Sequence, residues 1–138
     1  MPEALSLVER GWRGARECSL MLRTHGITVT HLIKGSLPAE VLAMIQPYSF
    51  IRLIDVPRTA FYLRLWPLLV WGTLRGRLRW VLLDNERTLQ VVSGWCRWFG
   101  LSLVLIRETP DNYELLIDQC VRPVADVFGL TAQPPDAG

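Results

Sequence analysis

The stretch from Leu5 to Lys34 constrains the fold of this chain more than any other. Leu5-Ser6-Leu7-Val8 is a short apolar segment. Glu9 to Glu17 is a basic turn broken by glycines that runs into a helix start. Cys18 to Thr24 continues the helix, His25-Gly26 ends it, and Ile27 to Ile33 reads as a second strand. Strand, helix and strand in that order open a βαβ unit. The unit brings backbone N–H groups of the helix N-terminus to the loop after the first strand, where an anion can bind.

The alternation continues along the chain. Strands are expected at Leu5–Val8, Ile27–Ile33, Phe50–Ile54, Trp80–Leu83 and Leu101–Ile106. A sixth, Tyr113–Ile117, could equally open the last helix. Helices are expected at Gly14–Thr24, Pro38–Ile45, Thr59–Leu74, Glu86–Phe99 and Asp118–Phe128. Gly26 and Gly100 stand where a helix must stop before a strand, and Ser36 and Asn85 stand where helices start. Strands alternating with helices imply a parallel sheet covered on both faces, and the near-continuous apolar strands agree. Ile27-Thr28-Val29-Thr30 alternates more and belongs nearer an edge. The expectation is α/β: a three-layer Rossmann-like sandwich with a mostly parallel sheet of five or six strands. It forms one domain over residues 1–130, with a flexible tail over 131–138.

Composition narrows the function classes. Half the residues are hydrophobic and a fifth are charged, which excludes extended disorder. A net charge of +2 gives no nucleic-acid footprint. Cys18, Cys96 and Cys120 are too few and too scattered for a disulfide framework or a zinc site. Each falls in an expected helix and reads as a small buried apolar residue in a reducing compartment. His25 and His31 lack the spacing of a helix-borne metal pair, so no metal and no cofactor is expected. Glu3, Glu9 and Arg10 interrupt any signal-peptide core, and no apolar run approaches the ~20 residues that span a bilayer. A cytoplasmic location is expected, peripheral at most to the inner face of the membrane.

Three constellations bear on chemistry. Gly11-Trp12-Arg13-Gly14, with Lys34 at the end of the second strand, has the makings of an anion loop: glycine admits a ligand to the backbone, and arginines add charge. It lacks the third glycine and the acidic residue of a dinucleotide fingerprint, and the plainer reading is a glycine turn with solvated arginines. Phe61 to Trp80 carries Trp66 and Trp71 with Arg75, Arg77 and Arg79, and no acid lies between Asp55 and Asp84. Cationic tryptophan-bearing helices bind anionic membranes or partner surfaces; the plainer reading is a crossover helix packed on the sheet. The acids Glu9, Asp55, Asp84 and Glu108 stand at strand ends, where parallel sheets place ligand crevices. Asp84 is the candidate general base, set against a plain helix-capping role.

Two passages resemble the N-terminal half of a GT-B-type glycosyltransferase. One runs from Gly14-Ala15-Arg16-Glu17 through His25-Gly26-Ile27-Thr28-Val29-Thr30; the other from Arg79-Trp80-Val81-Leu82-Leu83-Asp84-Asn85 through Phe99-Gly100-Leu101-Ser102-Leu103-Val104-Leu105. The resemblance implies an acceptor-side domain lying against a membrane, with metal-independent transfer from a nucleotide sugar. It further implies a second glycosyltransferase-like domain or subunit to hold that donor. The alternative is a non-catalytic Rossmann-like module that binds a nucleotide, a dinucleotide or a protein partner.

Overall fold

The computed structural model describes all residues except 1, 36–37, 46–51, 111–112, 118–119 and 130–138. The expected Ser36 cap and the tail over 131–138 lie outside the described residues. The elements run β1 (Glu3–Ser6), α1 (Trp12–Thr24), β2 (Thr28–Lys34), α2 (Ala39–Ile45), β3 (Arg52–Val56), a short 3₁₀ turn (Arg58–Ala60) and α3 (Phe61–Leu74). They continue with β4 (Leu78–Leu83), α4 (Glu86–Phe99), β5 (Ser102–Glu108), β6 (Tyr113–Ile117), β7 (Cys120–Arg122) and α5 (Val124–Phe128). The strands form one sheet in the order β3-β2-β1-β4-β5-β6-β7. The first five pair in parallel, and β6 and β7 add on antiparallel.

The chain is therefore α/β with a mostly parallel sheet, but the described sheet has seven strands where five or six are expected. The extra strand replaces the first part of the expected helix Asp118–Phe128. Pro123 explains this: it lacks an N–H and disfavours helix at the residue before it, so Cys120–Arg122 stays extended and α5 starts only at Val124. Cys120 is accordingly an exposed strand residue and not a buried helical one. The third strand is Arg52–Val56, which puts Asp55 within it; Phe50 and Ile51 lie outside the described residues. The first strand sits slightly earlier than expected, at Glu3–Ser6, although Leu7 still donates its N–H to the Leu82 carbonyl at 2.7 Å.

The period-two pattern of the strands sorts side chains between two cores. Along β4, Trp80 and Leu82 join the cluster that holds Trp12, Ala15, Cys18 and Leu22 of α1. Val81 and Leu83 join the cluster of Phe61, Leu65 and Leu69 from α3 with Val92 and Cys96 from α4. The buried positions of each helix recur at three- or four-residue spacing, one stripe per helix. A fully buried leucine or phenylalanine in such a stripe stabilises by about 1.5–3 kcal/mol before the entropy of ordering it. At Gly72 a Cβ would fall 2.7 Å from that of Leu78, so α3 approaches the start of β4 as closely as a backbone can. Gly100 ends α4 in the left-handed conformation, as its position predicts, and Asn85 caps the start of α4 by accepting from the Arg87 N–H at 2.8 Å.

Strands β1 to β3 extend the sheet in one direction, and the crossover through α3 returns the chain to the other side of β1. Strand order reverses between β1 and β4, the place where open parallel sheets form a crevice at the carboxyl ends of their strands.

One buried polar pair lies in the α1 core. The Ser19 hydroxyl donates to the Ala15 carbonyl at 2.7 Å, and its oxygen lies 3.1 Å from His31 Nε2. The hydroxyl proton being committed, Nε2 carries the ring proton and donates, while buried Nδ1 has no hydrogen-bond partner among the described residues. Burial pushes His31 down to about 4. An unfolded histidine titrates near 6.5, so in the window between these values the unfolded chain takes up a proton that the native chain refuses. Stability is then lost as pH falls from about 6.5 to about 4, by about 3 kcal/mol in all for this group. Urea midpoints measured across that window in wild type and His31→Gln should show the variant losing less; equal losses would contradict the assignment.

Candidate functional site

The turn after β1 is stitched shut by a carboxylate from β4. Asp84 follows the last residue of β4, and its oxygens accept from the backbone N–H groups of Glu9 at 2.9 Å, Arg10 at 2.8 Å and Gly11 at 2.7 Å. Three of the four lone-pair positions of the carboxylate are thus taken by one loop. Gly11 stands beside this anion, although a Cβ there would make only ordinary contact, 3.4 Å from Asp84 Oδ2. The anion it admits is the protein's own.

Glu108, the last residue of β5, completes the arrangement by accepting from the Gly14 N–H at 3.0 Å. Helix α1 has no side-chain cap of its own and no acid in its first turn. Asp84 and Glu108 supply the negative charge that its N-terminus favours. Gly14 lets α1 close on the sheet, because a Cβ there would meet Tyr113 Cβ at 3.1 Å and Ile106 Cγ2 at 3.3 Å. Arg13 turns away and donates to the Thr109 carbonyl at 2.7 Å. Of the expected anion loop, Gly11 and Gly14 border carboxylates and Arg13 ties the start of α1 to the loop after β5.

Lys34 stands one strand over. Its ammonium pairs with Glu9 and lies 4.5 Å from the Phe61 ring centre and 5.7 Å from that of Tyr62. The other oxygen of Glu9 accepts from Asn85 Nδ2 at 2.9 Å. Burial raises the Glu9 carboxyl, but the hydrogen bonds from Lys34 and Asn85 and the charges of Lys34 and Arg58 outweigh it and hold the group below the ordinary carboxylate range. A continuous polar seam therefore crosses the carboxyl ends of β2, β1, β4 and β5.

Two hollows flank the seam. Beside β1, β4 and β5 a shallow one is bordered by Asp84, Glu86 and Glu108 together with Arg10 and Arg107, acids and cations mixed. Between β1 and β2 a crevice of about 230 Å³ is lined by Glu9, Arg10, Lys34 and Arg58 over Val8, Trp12, Ile33 and Pro38. Arg58 falls in the sequence among the arginines around Phe61–Trp80, and only the pairing of β3 with β2 brings it to this crevice. Among the described residues no group of three histidine, cysteine or acidic side chains could hold a metal ion.

The remaining expected surface residues lie away from this seam. Trp66 and Trp71 are exposed on α3, and Arg75, Arg77 and Arg79 are exposed at its end and along the start of β4. Trp66 also packs on Trp95 and Phe99 of α4, with ring centres 5.3 and 5.2 Å away. Trp98 of α4 is the most exposed large apolar residue described, and only the pairing of α3 with α4 reveals that it shares their layer. No helix among the described residues is long and apolar enough to cross a membrane.

No protein-family model, curated protein or solved structure matches this chain. The site is accordingly read from its chemistry. Removing the clamp in Asp84→Ala leaves three backbone donors to water or to nothing, and should cost about 2 kcal/mol of stability in urea unfolding. Asp84→Asn, which keeps one acceptor oxygen but no charge, should lose less. A loss below about 0.5 kcal/mol in Asp84→Ala, the range of an ordinary surface change, would contradict the clamp.

Proposed function

We propose that this chain is a three-layer Rossmann-like module that seats on an anionic membrane surface through the outer face of α3 and α4, and that it works as a binding component and not as a self-sufficient catalyst. One observation carries the reading. Leu63, Trp66, Trp71 and Leu74 of α3 and Val91 and Trp98 of α4 are exposed on helices whose inner faces already pack on the sheet, Trp98 at 83 % and Trp71 at 61 %. Scattered apolar residues on a surface need no explanation; six on one layer do.

The rim is cationic. Arg64, Arg75 and Arg77 adjoin α3 and Arg87 and Arg97 lie on α4, against a single acid on these two helices, Glu86. Because α3 and α4 each lead into a parallel strand, their carboxyl ends share one edge of the sheet. Trp71, Leu74, Arg75, Arg97 and Trp98 therefore gather at one end of the layer. Tryptophan inserted at headgroup depth together with arginine near anionic lipid, each arginine worth about 1 kcal/mol, is the chemistry of a peripheral membrane face. Anionic lipid is enriched on the cytoplasmic leaflet, and unpaired cysteines suit that compartment.

The glycosyltransferase-like reading, an acceptor-side half that depends on a second subunit, shares this placement against a membrane. It assigns the base to Asp84, whose oxygens already accept three backbone N–H groups. The non-catalytic reading is the one adopted.

Vesicle flotation tests it. The protein should float with phosphatidylcholine vesicles containing phosphatidylglycerol and not with phosphatidylcholine alone, and rising salt should release it. Arg75→Ala and Arg77→Ala should each weaken binding roughly fivefold, and Trp71→Ser with Trp98→Ser should abolish it. Failure to bind anionic vesicles, or a self-association lost in the tryptophan variant in place of flotation, overturns the proposal.

A further inference from the structure

We propose that the crevice between the carboxyl ends of β1 and β2 is a binding site for a phosphomonoester group, held by Arg10, Lys34 and Arg58. This site is separate from the membrane face. It opens at the carboxyl edge of the parallel strands, whereas the tryptophans and arginines of α3 and α4 gather toward the opposite edge.

Charge balance sets the ligand class. Among the described residues three cations line the crevice against one carboxylate, Glu9, an excess of two positive charges. A phosphomonoester carries about −1.5 to −2 at neutral pH, and its oxygens accept from several donors at once. A lone carboxylate would neutralise half of the excess. The volume, about 230 Å³, holds a phosphate and a small organic group, which would rest on Val8, Trp12 and Ile33.

The donors differ in how they are held. Lys34 is fixed in advance by Glu9 and by the Phe61 ring, so little of its side-chain freedom remains to be lost on binding. Neither the Arg10 nor the Arg58 guanidinium makes a hydrogen bond to a described residue, which leaves both forks free for bidentate contact with phosphate oxygens. Gly35, in the left-handed conformation, turns the chain beside Arg58 at the end of β2. The loop amides of Glu9, Arg10 and Gly11, the groups a nucleotide-binding turn would offer, are held by Asp84. Phosphate recognition in this chain thus passes to side chains one strand away.

Glu9 is the internal competitor, and this gives the test a change of sign. Titration calorimetry with inorganic phosphate and with adenosine monophosphate should show saturable binding, tighter for the monophosphate. Arg10→Gln and Arg58→Gln, both exposed and expected to fold, should each weaken it roughly tenfold. Glu9→Gln, which frees Lys34, should tighten it. A second arm compares vesicles of phosphatidylcholine with phosphatidic acid, whose headgroup is itself a phosphomonoester. A preference for these over phosphatidylglycerol that is lost in Arg10→Gln/Arg58→Gln names a lipid as the source, and calorimetric binding names a soluble one. Absence of binding in both arms, or binding unchanged in the double variant, overturns the proposal.

Discussion

One carboxylate accepting three backbone N–H groups organises the carboxyl edge of the sheet. Asp84 leaves the end of β4 and holds the turn between β1 and α1 at 2.7–2.9 Å. Helix α1 follows a glycine N-cap with no side-chain cap and no acid in its first turn, so its start relies on Asp84 and Glu108. The turn lies at the one place in the sheet where strand order reverses, so no crossover helix ties β1 to β4 there. A charged acceptor shared by three amides supplies the tie. Its position lets Gly14 close on Ile106 and Tyr113, which sets the depth at which Trp12, Ala15, Cys18 and Leu22 enter the core.

This arrangement divides the surface. The crevice that parallel sheets ordinarily offer to a phosphate is filled from within by Asp84 and Glu108, and its border mixes acids with Arg10 and Arg107. An excess of positive charge gathers at two other places. One is the Arg10–Lys34–Arg58 crevice beside the seam; the other is the rim of the α3 and α4 layer. Between them Glu9 couples the ends of β2 and β4 by taking Lys34 on one oxygen and Asn85 on the other.

Much of the fold was legible in the sequence, for identifiable reasons. Continuous apolar runs such as Trp80–Leu83 can be buried on both faces only in a covered parallel sheet, and Gly26, Asn85 and Gly100 mark helix ends by local chemistry that needs no tertiary context. The expected helix Asp118–Phe128 gives way to β7 and a shorter α5, because Pro123 keeps the residues before it extended. The site was half legible. Asp84 and the Gly11–Gly14 turn stand out in the sequence, but their mutual contact does not: 73 residues separate Gly11 from Asp84, and only the order β1-β4 brings them together. A glycine turn that admits an external anion and one that admits an internal carboxylate have the same local sequence. The crevice position of Arg58 and the place of Trp98 beside α3 are not legible for the same reason, since each depends on a neighbouring element.

Amide hydrogen exchange followed by NMR tests the central claim most directly. If Asp84 holds the turn, the Glu9, Arg10 and Gly11 amides exchange slowly in the wild type. They become fast in Asp84→Ala, while Leu32 and Ile33 of β2 stay protected. Fast exchange at all three amides in the wild type would contradict the account.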